Sequence, residues 1–494
     1  MPELIEWPCD VPECHQLVVR SGAICDYCYE VRCSDHDTSQ QHPCHLISDQ
    51  ESRRPKKRDI RLRYLSGLIE QLRLHSPTIL EQASELNSNK KCTLTIPENA
   101  DQLLDSGLLA GFNVHFMIEF EDGIKWLLRV RQDQGHPLPL QIRKANIESE
   151  VATLNTLKAG GIPVPAAFLH VPPEHEVERV QQEIPFDYFF YEFLPGETWH
   201  IPKHPFFSVT LSDEKLVKLV EGYAQVQIKL SQLQLSVSQI GCLKYTDSGE
   251  LSVGPIIARG CFQTPKPPYL LGPFNIMKDR YLAHIDAALQ YIARGAICEW
   301  DSVDAYLWHL ELRELVSNSK VLGRTLSRVY IKHDDEKGDH LMWNEKEEVV
   351  GVLDWEWAHV TSKEEAFSSP YIFYDMIDYI RGDNQLTKEE IMLIDCYDRY
   401  NRPDLAECVK NGRLYQRLSS IGHYDKAYSK KGFREPFEPI PISDFHPPAQ
   451  DVDWRVYSIK RYQNHKGLVE TMKKFGVTLE KAEEDARDWH ARND

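Results

Sequence analysis

Residues 332–340 read KHDDEKGDH, four acidic side chains and two histidines within nine positions, and a further aspartate, Asp354, follows in the run GVLDWEWA. Carboxylates at that density between apolar runs suit two tasks, holding a hard divalent cation and orienting or accepting a proton. An aspartate set between GVL and WEWA at the end of a buried strand is expensive unless a cation satisfies it, because unpaired buried charge costs several kcal/mol or more.

A second constellation lies at the other end of the chain. Six of the twelve cysteines fall within the first 44 residues, interleaved with histidines, and the other six are scattered. The candidate ligands form pairs: Cys9 with Cys14, Cys25 with Cys28, Cys33 with His36, and His42 with Cys44. Thiolate and imidazole pairs on short loops suit tetrahedral zinc, and eight ligands make two closed structural sites. Alternating pairs would share an ion, with Cys9, Cys14, Cys33 and His36 in one site and Cys25, Cys28, His42 and Cys44 in the other. His15 and His45 are alternative ligands in place of Cys9. A disulfide knot is the competing reading, but a reducing compartment and a segment too poor in apolar residues to fold without a staple favour metal.

These clusters sit in a chain of 494 residues, 42% hydrophobic and 27% charged, enough for two or three globular units. A formal net charge of −18 argues against a dedicated nucleic-acid or anionic-membrane binder. No window approaches eighteen uninterrupted apolar residues, which argues against a membrane span, and the amino terminus lacks a basic and then apolar leader, so the expected location is cytoplasmic. The basic stretch SRRPKKRDIRLR from Ser52 reads as a solvated linker face or a nuclear address, the linker being favoured. It runs into helical periodicity from Ile60 to about His75.

The elements that must position the acids follow from Leu103 onward. GLLAGFNVHFMIEF and IKWLLRVR, joined by Glu-Asp-Gly, predict a β-hairpin, and ANIESEVATLNTLKAGG predicts a helix stopped by Gly-Gly. IPVPAAFLHV and FDYFFYEFLPGETW predict two more strands, with a turn at Pro195-Gly196. Beyond the acidic loop, KEEIMLIDCYDRY and KGLVETMKKFGVTLEKAEEDARDWHA carry helical patterns.

The order of these elements, with EVATLNTLKAGGIPVP, YEFLPGETW, IGCLKYTDSGELSVGP and HDDEKGDHLMW, resembles the aminoglycoside phosphotransferase and choline kinase branch of protein-kinase-like enzymes, in its fungal form, over about Gly107 to Pro370. The spacing C-x4-C-x10-C-x2-C-x4-C-x2-H-x5-H-x-C resembles the stress-associated (A-N-one type) zinc finger, apart from a first pair spaced by four rather than two. Together the resemblances imply an α+β chain with a two-lobed, protein-kinase-like fold preceded by a zinc module. Residues 1–50 would be the zinc module, 51–85 a basic linker and helix, 86–195 a β-rich N-lobe, and 196–494 a helical C-lobe carrying the catalytic loop.

The kinase resemblance also assigns roles. His333-Asp334-Asp335 matches the H-x-D sequence, making Asp335 catalytic with His333 in support. Asp354 becomes the metal-binding aspartate, and His340 stands where such enzymes place a metal-binding asparagine. An imidazole is a softer ligand than an amide oxygen, so His340 either ligates the metal or hydrogen-bonds Asp335 or a phosphate, with Asp339 as an alternative ligand. Arg129 would contact phosphate and pair with Glu150. Gly111 to Asn113 would turn over the phosphates, and Glu192 to Leu194 would meet adenine. The implied activity is transfer of the γ-phosphate of ATP, with Mg2+, to a hydroxyl of a small molecule. Two zinc ions and a protein partner for the zinc module complete the expectation. The competing readings are a pseudokinase scaffold, favoured by the missing asparagine and glycine signature, and a zinc-finger adaptor.

Overall fold

The computed structural model describes residues 50–106, 108–109, 111–132, 140–170, 184–198, 213–257, 270–295, 297–298, 301–422, 431–437 and 453–493, with a few positions among the first fifty. The chain divides into two compact units, one of residues 5–197 with 350–356, the other of residues 198–349 with 357–494.

In the first unit a helix, α1 (Gln50–Leu86), precedes a five-stranded antiparallel sheet of order β1-β2-β3-β5-β4. Its strands are β1 (Cys92–Leu94), β2 (Asn113–Phe120), β3 (Lys125–Arg131), β4 (Ala167–Phe168) and β5 (Tyr188–Glu192), with α2 (Ala100–Asp105) and α3 (Leu140–Ala159) between them. Side chains alternate across a sheet. Val114, Phe116, Ile118 and Phe120 of β2, and Trp126, Leu128 and Val130 of β3, are therefore buried in one core with Leu65, Leu68, Ile69, Leu72 and Ile79 of α1. Helix formation runs back through the basic stretch to Gln50. The predicted hairpin turn forms at Asp122-Gly123, where Asp122 accepts from the Ile124 N–H at 3.2 Å and Gly123 takes φ +82°. The Gly-Gly stop of α3 is also present, with Gly161 at φ +75°.

The second unit is mainly helical. Helix α4 (Asp213–Gln232) packs on α7 (Lys388–Arg399), and α5 (Met277–Arg294) on α6 (Ser302–Asn318). Strand β6 (Tyr330–Lys332) pairs antiparallel with β7 (His359–Thr361). The carboxyl-terminal pattern read as helical forms two helices, Lys466–Phe475 and Leu479–Asn493, because Gly476 takes the left-handed conformation at φ +66°. No helix among the described residues is long and apolar enough to cross a membrane.

Candidate active site

The face of the sheet away from α1 collects the polar side chains of β2 and β3. Register sets His115 opposite Arg129 and Asn113 opposite Arg131. Arg129 is 5% exposed, and its Nη2 lies 3.1 Å from Glu150 Oε1, 3.0 Å from Asp354 Oδ1 and 3.1 Å from Glu356 Oε2. Glu356 is the hub. Its Oε2 also accepts from Asn113 Nδ2 at 2.9 Å and from Arg131, while its backbone carbonyl accepts from Asn146 Nδ2 at 2.8 Å. Strand Val349–Val352 leads into this segment, and the Val352 N–H donates to Pro163 O at 2.8 Å.

The electrostatics follow from one guanidinium serving three carboxylates. Burial opposes the charge on Arg129, but Glu150, Glu356 and Asp354 outweigh it and raise its pKa. Burial pushes the Glu150 carboxyl up, to about 7, with Glu356 and Asp354 adding to the rise and Arg129 opposing it. Three acids around Arg129 and Arg131 cannot all be charged at low cost. Burial and the Arg129 charge bring the His115 ring down to about 4. That neutral ring bridges Leu108 O, 3.2 Å from Nδ1, and Arg129, 3.4 Å from Nε2. Asp354 differs from its neighbours: its side chain is 34% exposed, against 4% for Glu150 and 2% for Glu356, and its φ is +66°. Its oxygen donors are hard and reachable, which suits magnesium.

The remaining nucleotide-side predictions are placed as follows. Asn113 is buried with its side chain on Glu356. The adjoining turn is tied down by Gln132, whose N–H donates to Phe112 O at 2.8 Å and whose Nε2 donates to Asn113 O at 3.1 Å. Gly111 is exposed, and a Cβ built there would meet nothing within 4 Å. Glu192 turns its carboxylate to the Ala166 N–H at 3.0 Å and to Lys158 at 2.7 Å. Leu194 lies just past Phe193, whose N–H donates to Lys125 O at 3.0 Å.

The second unit carries the acidic loop. His333, Asp335 and His340 are all buried. The Asp335 N–H donates to His333 Nδ1 at 3.3 Å, and the Gly338 N–H to His340 Nδ1 at 3.2 Å, so Nδ1 is the acceptor and Nε2 the N–H in each ring. The two rings lie 4.6 Å apart. Asp334 adopts φ +68°, with Lys332 3.7 Å and His359 4.0 Å from its carboxylate. Glu336 points to α4, accepting from Tyr223 Oη at 2.8 Å and Gln227 Nε2 at 3.0 Å. Behind the loop, Glu365 accepts from Arg280 at 2.6 Å and from Thr361, and although burial would raise its carboxyl, Arg280 and His359 hold it far below the usual range.

Among the first fifty residues, Cys14, Cys33 and His36 have donor atoms within 4.8 Å of one another. Cys14 Sγ is 3.9 Å from Cys33 Sγ, which is 3.2 Å from His36 Nδ1. Cys9, Cys25, Cys28, His42 and Cys44 lie outside the described residues.

Sequence reasoning overlooked Glu356, Arg131, Asn146 and Lys337. The first carried a signal: Glu356 is a lone charge between two tryptophans, and the burial argument applied to Asp354 holds for it equally. Arg131 lies two residues from Arg129, hence on the same face of its strand. Nothing local marks Asn146.

Residues 113–362 match the model of the phosphotransferase enzyme family (APH). Among solved structures, an aminoglycoside phosphotransferase described as putative from Ralstonia eutropha JMP134 is 14% identical, covering 80% of this chain and 98% of its own, with a TM-score of 0.41. An ethanolamine kinase from Plasmodium vivax is also 14% identical, covering 80% and 97%, with a TM-score of 0.39. A macrolide 2′-phosphotransferase type I is 15% identical, covering 74% and 96%, at 0.36. Likenesses this remote carry no weight beside the sequence match. No curated protein matches. The match spans half of the chain and both acid-rich segments, and the chain belongs to the phosphotransferase enzyme family, as an aminoglycoside phosphotransferase-like small-molecule kinase.

Proposed function

We propose that this protein transfers the γ-phosphate of ATP, as its magnesium complex, to a hydroxyl of a small molecule. The Arg129 cluster carries the reading. A buried arginine shared by Glu150, Asp354 and Glu356, with Asp354 alone of the three acids well exposed, is what a cation and phosphate site requires. Magnesium would neutralise the phosphate oxygens, and Asp354 would hold it. Arg129 would orient the phosphates, Asn113 would fix the turn beside them, and the backbone from Glu192 to Leu194 would meet adenine. Asp335 would accept or orient the substrate hydroxyl, with His333 supporting it through the Asp335 N–H. The Gly338 N–H on His340 Nδ1 favours His340 as an Nε2–H donor to phosphate or carboxylate over a metal ligand.

The test is thermal shift and ATP turnover with and without magnesium. Asp354→Ala should lose the magnesium-dependent shift by ATP, whereas Asp335→Asn should keep the shift and lose turnover. Equal shifts and equal turnover in all three proteins would refute both assignments, and a shift without turnover in the parent would favour the pseudokinase reading.

A second observation, the Cys14, Cys33 and His36 grouping, favours zinc in the amino-terminal segment. We propose that Cys9 completes that site and that Cys25, Cys28, His42 and Cys44 form another, giving two zinc ions per chain and a platform for a protein partner. Metal analysis of the purified protein should find both ions, and Cys33→Ser should lose one. Absence of zinc, with the thiols reactive or oxidised to disulfides, would sink this second reading.

A further inference from the structure

Between the buried Asp335 and solvent stands a lysine that neither the sequence nor the proposed roles employ. Lys337 Nζ lies 3.0 Å from Asp335 Oδ2, and the two side chains are 39% and 4% exposed, so the pair presents its cationic end outward. The turn that makes the pair is tight, with the Lys337 N–H donating to Asp335 O at 3.0 Å. Glu336 between them is withdrawn onto Tyr223 and Gln227, and its carbonyl accepts from the Ile372 N–H at 3.2 Å. The loop is thus pinned at its middle residue, with Lys337 and Asp335 paired on either side of it.

That arrangement bears on a specific difficulty of phosphoryl transfer. A buried carboxylate that must address a hydroxyl also repels the anionic group the hydroxyl attacks, and the repulsion is strong where water is scarce. An ammonium held on the carboxylate offsets the repulsion and fixes the carboxylate rotamer, and the rotamer matters to the transfer step more than to ATP binding. We propose that Lys337 is a positioning residue for Asp335, orienting its carboxylate and offsetting its charge against the transferred phosphoryl group. This inference rests on the reading of Asp335 given above.

The experiment uses the full chain and magnesium ATP alone, with water as the acceptor, and follows phosphate release. Lys337→Met should lower kcat roughly 10- to 100-fold, less than the roughly 100- to 1,000-fold of a lost donor that touches the reacting group, because Lys337 acts through Asp335, with KM for ATP within about twofold of the parent. Lys337→Arg should recover most of the loss. In an Asp335→Asn background, Lys337→Met should add less than about twofold, because residues that act through one another are not additive. Melting curves of the Met and Arg variants should match the parent, and Lys337→Gln replaces Met should that variant fold poorly.

A parental kcat for Lys337→Met beside an inactive Asp335→Asn would overturn the inference and leave the reading of Asp335 standing. So would an equal loss in both backgrounds, or a loss carried by KM. Parental turnover in Asp335→Asn, or no magnesium-dependent hydrolysis by the parent, would instead remove the reading itself.

Discussion

Around Asp354, three carboxylates converge on one buried guanidinium, whereas around Asp335 a single buried carboxylate takes a single half-exposed lysine. The first arrangement is overloaded with negative charge and tightly cross-linked, through Glu356, to β2, β3 and α3. The second is balanced and rests on backbone hydrogen bonds to histidine rings. On the roles proposed above, the contrast separates two jobs: the acid-rich, partly exposed cluster would take the cation that comes with the nucleotide, and the paired acid would address the substrate hydroxyl.

If the Arg129 cluster is one interdependent unit, breaking its centre should have the largest effect. Arg129→Ala takes the guanidinium from the almost fully buried Glu150 and leaves Glu356 with Arg131 as its remaining cation, and removing one partner of a buried ion pair costs about 3–5 kcal/mol. Denaturant unfolding should show that loss, whereas Lys337→Ala, which removes a half-exposed lysine whose place water can take beside Asp335, should cost no more than about 1 kcal/mol. Comparable losses would erase the distinction between the two regions.

A gentler probe uses the overload itself. With the Glu150 carboxyl raised from 4.5 to about 7, the folded state holds a proton in that interval which the unfolded chain has released. Stability should therefore fall as pH rises from about 4.5 to about 7 and level off above it. Glu150→Gln, which mimics the protonated acid, should flatten that part of the melting-temperature profile and gain on the parent at pH 8. An unchanged profile would mean that Glu150 is charged throughout and that the acids are not in competition.

How much of this could be read beforehand differs between the regions for a physical reason. The hairpin at Asp122-Gly123 and the stop of α3 follow local rules, since turn glycines and alternating apolar residues write themselves into a short window. Arg129 and Glu150 could be singled out only through family resemblance. Glu356, which accepts from Arg129, and Asn146, which donates to the Glu356 carbonyl, meet across more than 200 positions of sequence, beyond any periodicity. Gly111, chosen as a phosphate-loop glycine, stands in open space where a side chain would fit, so its backbone does not require glycine. The break at Gly476 lay within one amphipathic pattern that reads as continuous until the left-handed residue is seen.

The smallest effect expected concerns the loop's own backbone. Asp334 holds φ +68°, in the left-handed region where a β-carbon crowds the carbonyl that follows it and where aspartate is among the better-tolerated side chains. The carboxylate has company there, Lys332 at 3.7 Å and His359 at 4.0 Å, but at 36% exposure those contacts contribute little. Asp334→Gly and Asp334→Ala lose the same contacts and differ only in the β-carbon. The glycine variant should thus be more stable than the alanine variant by about 1 kcal/mol, the left-handed penalty less the extra entropy of an unfolded glycine. Turnover sharpens the point, because the residue fixes the path into Asp335: glycine should keep kcat near the parent, and alanine should lower it. If alanine equals glycine in both stability and kcat, the left-handed turn at Asp334 does not govern the loop, and the placement of Asp335 must depend on its N–H bond to His333 and on the hydrogen bonds of Glu336 to Tyr223 and Gln227.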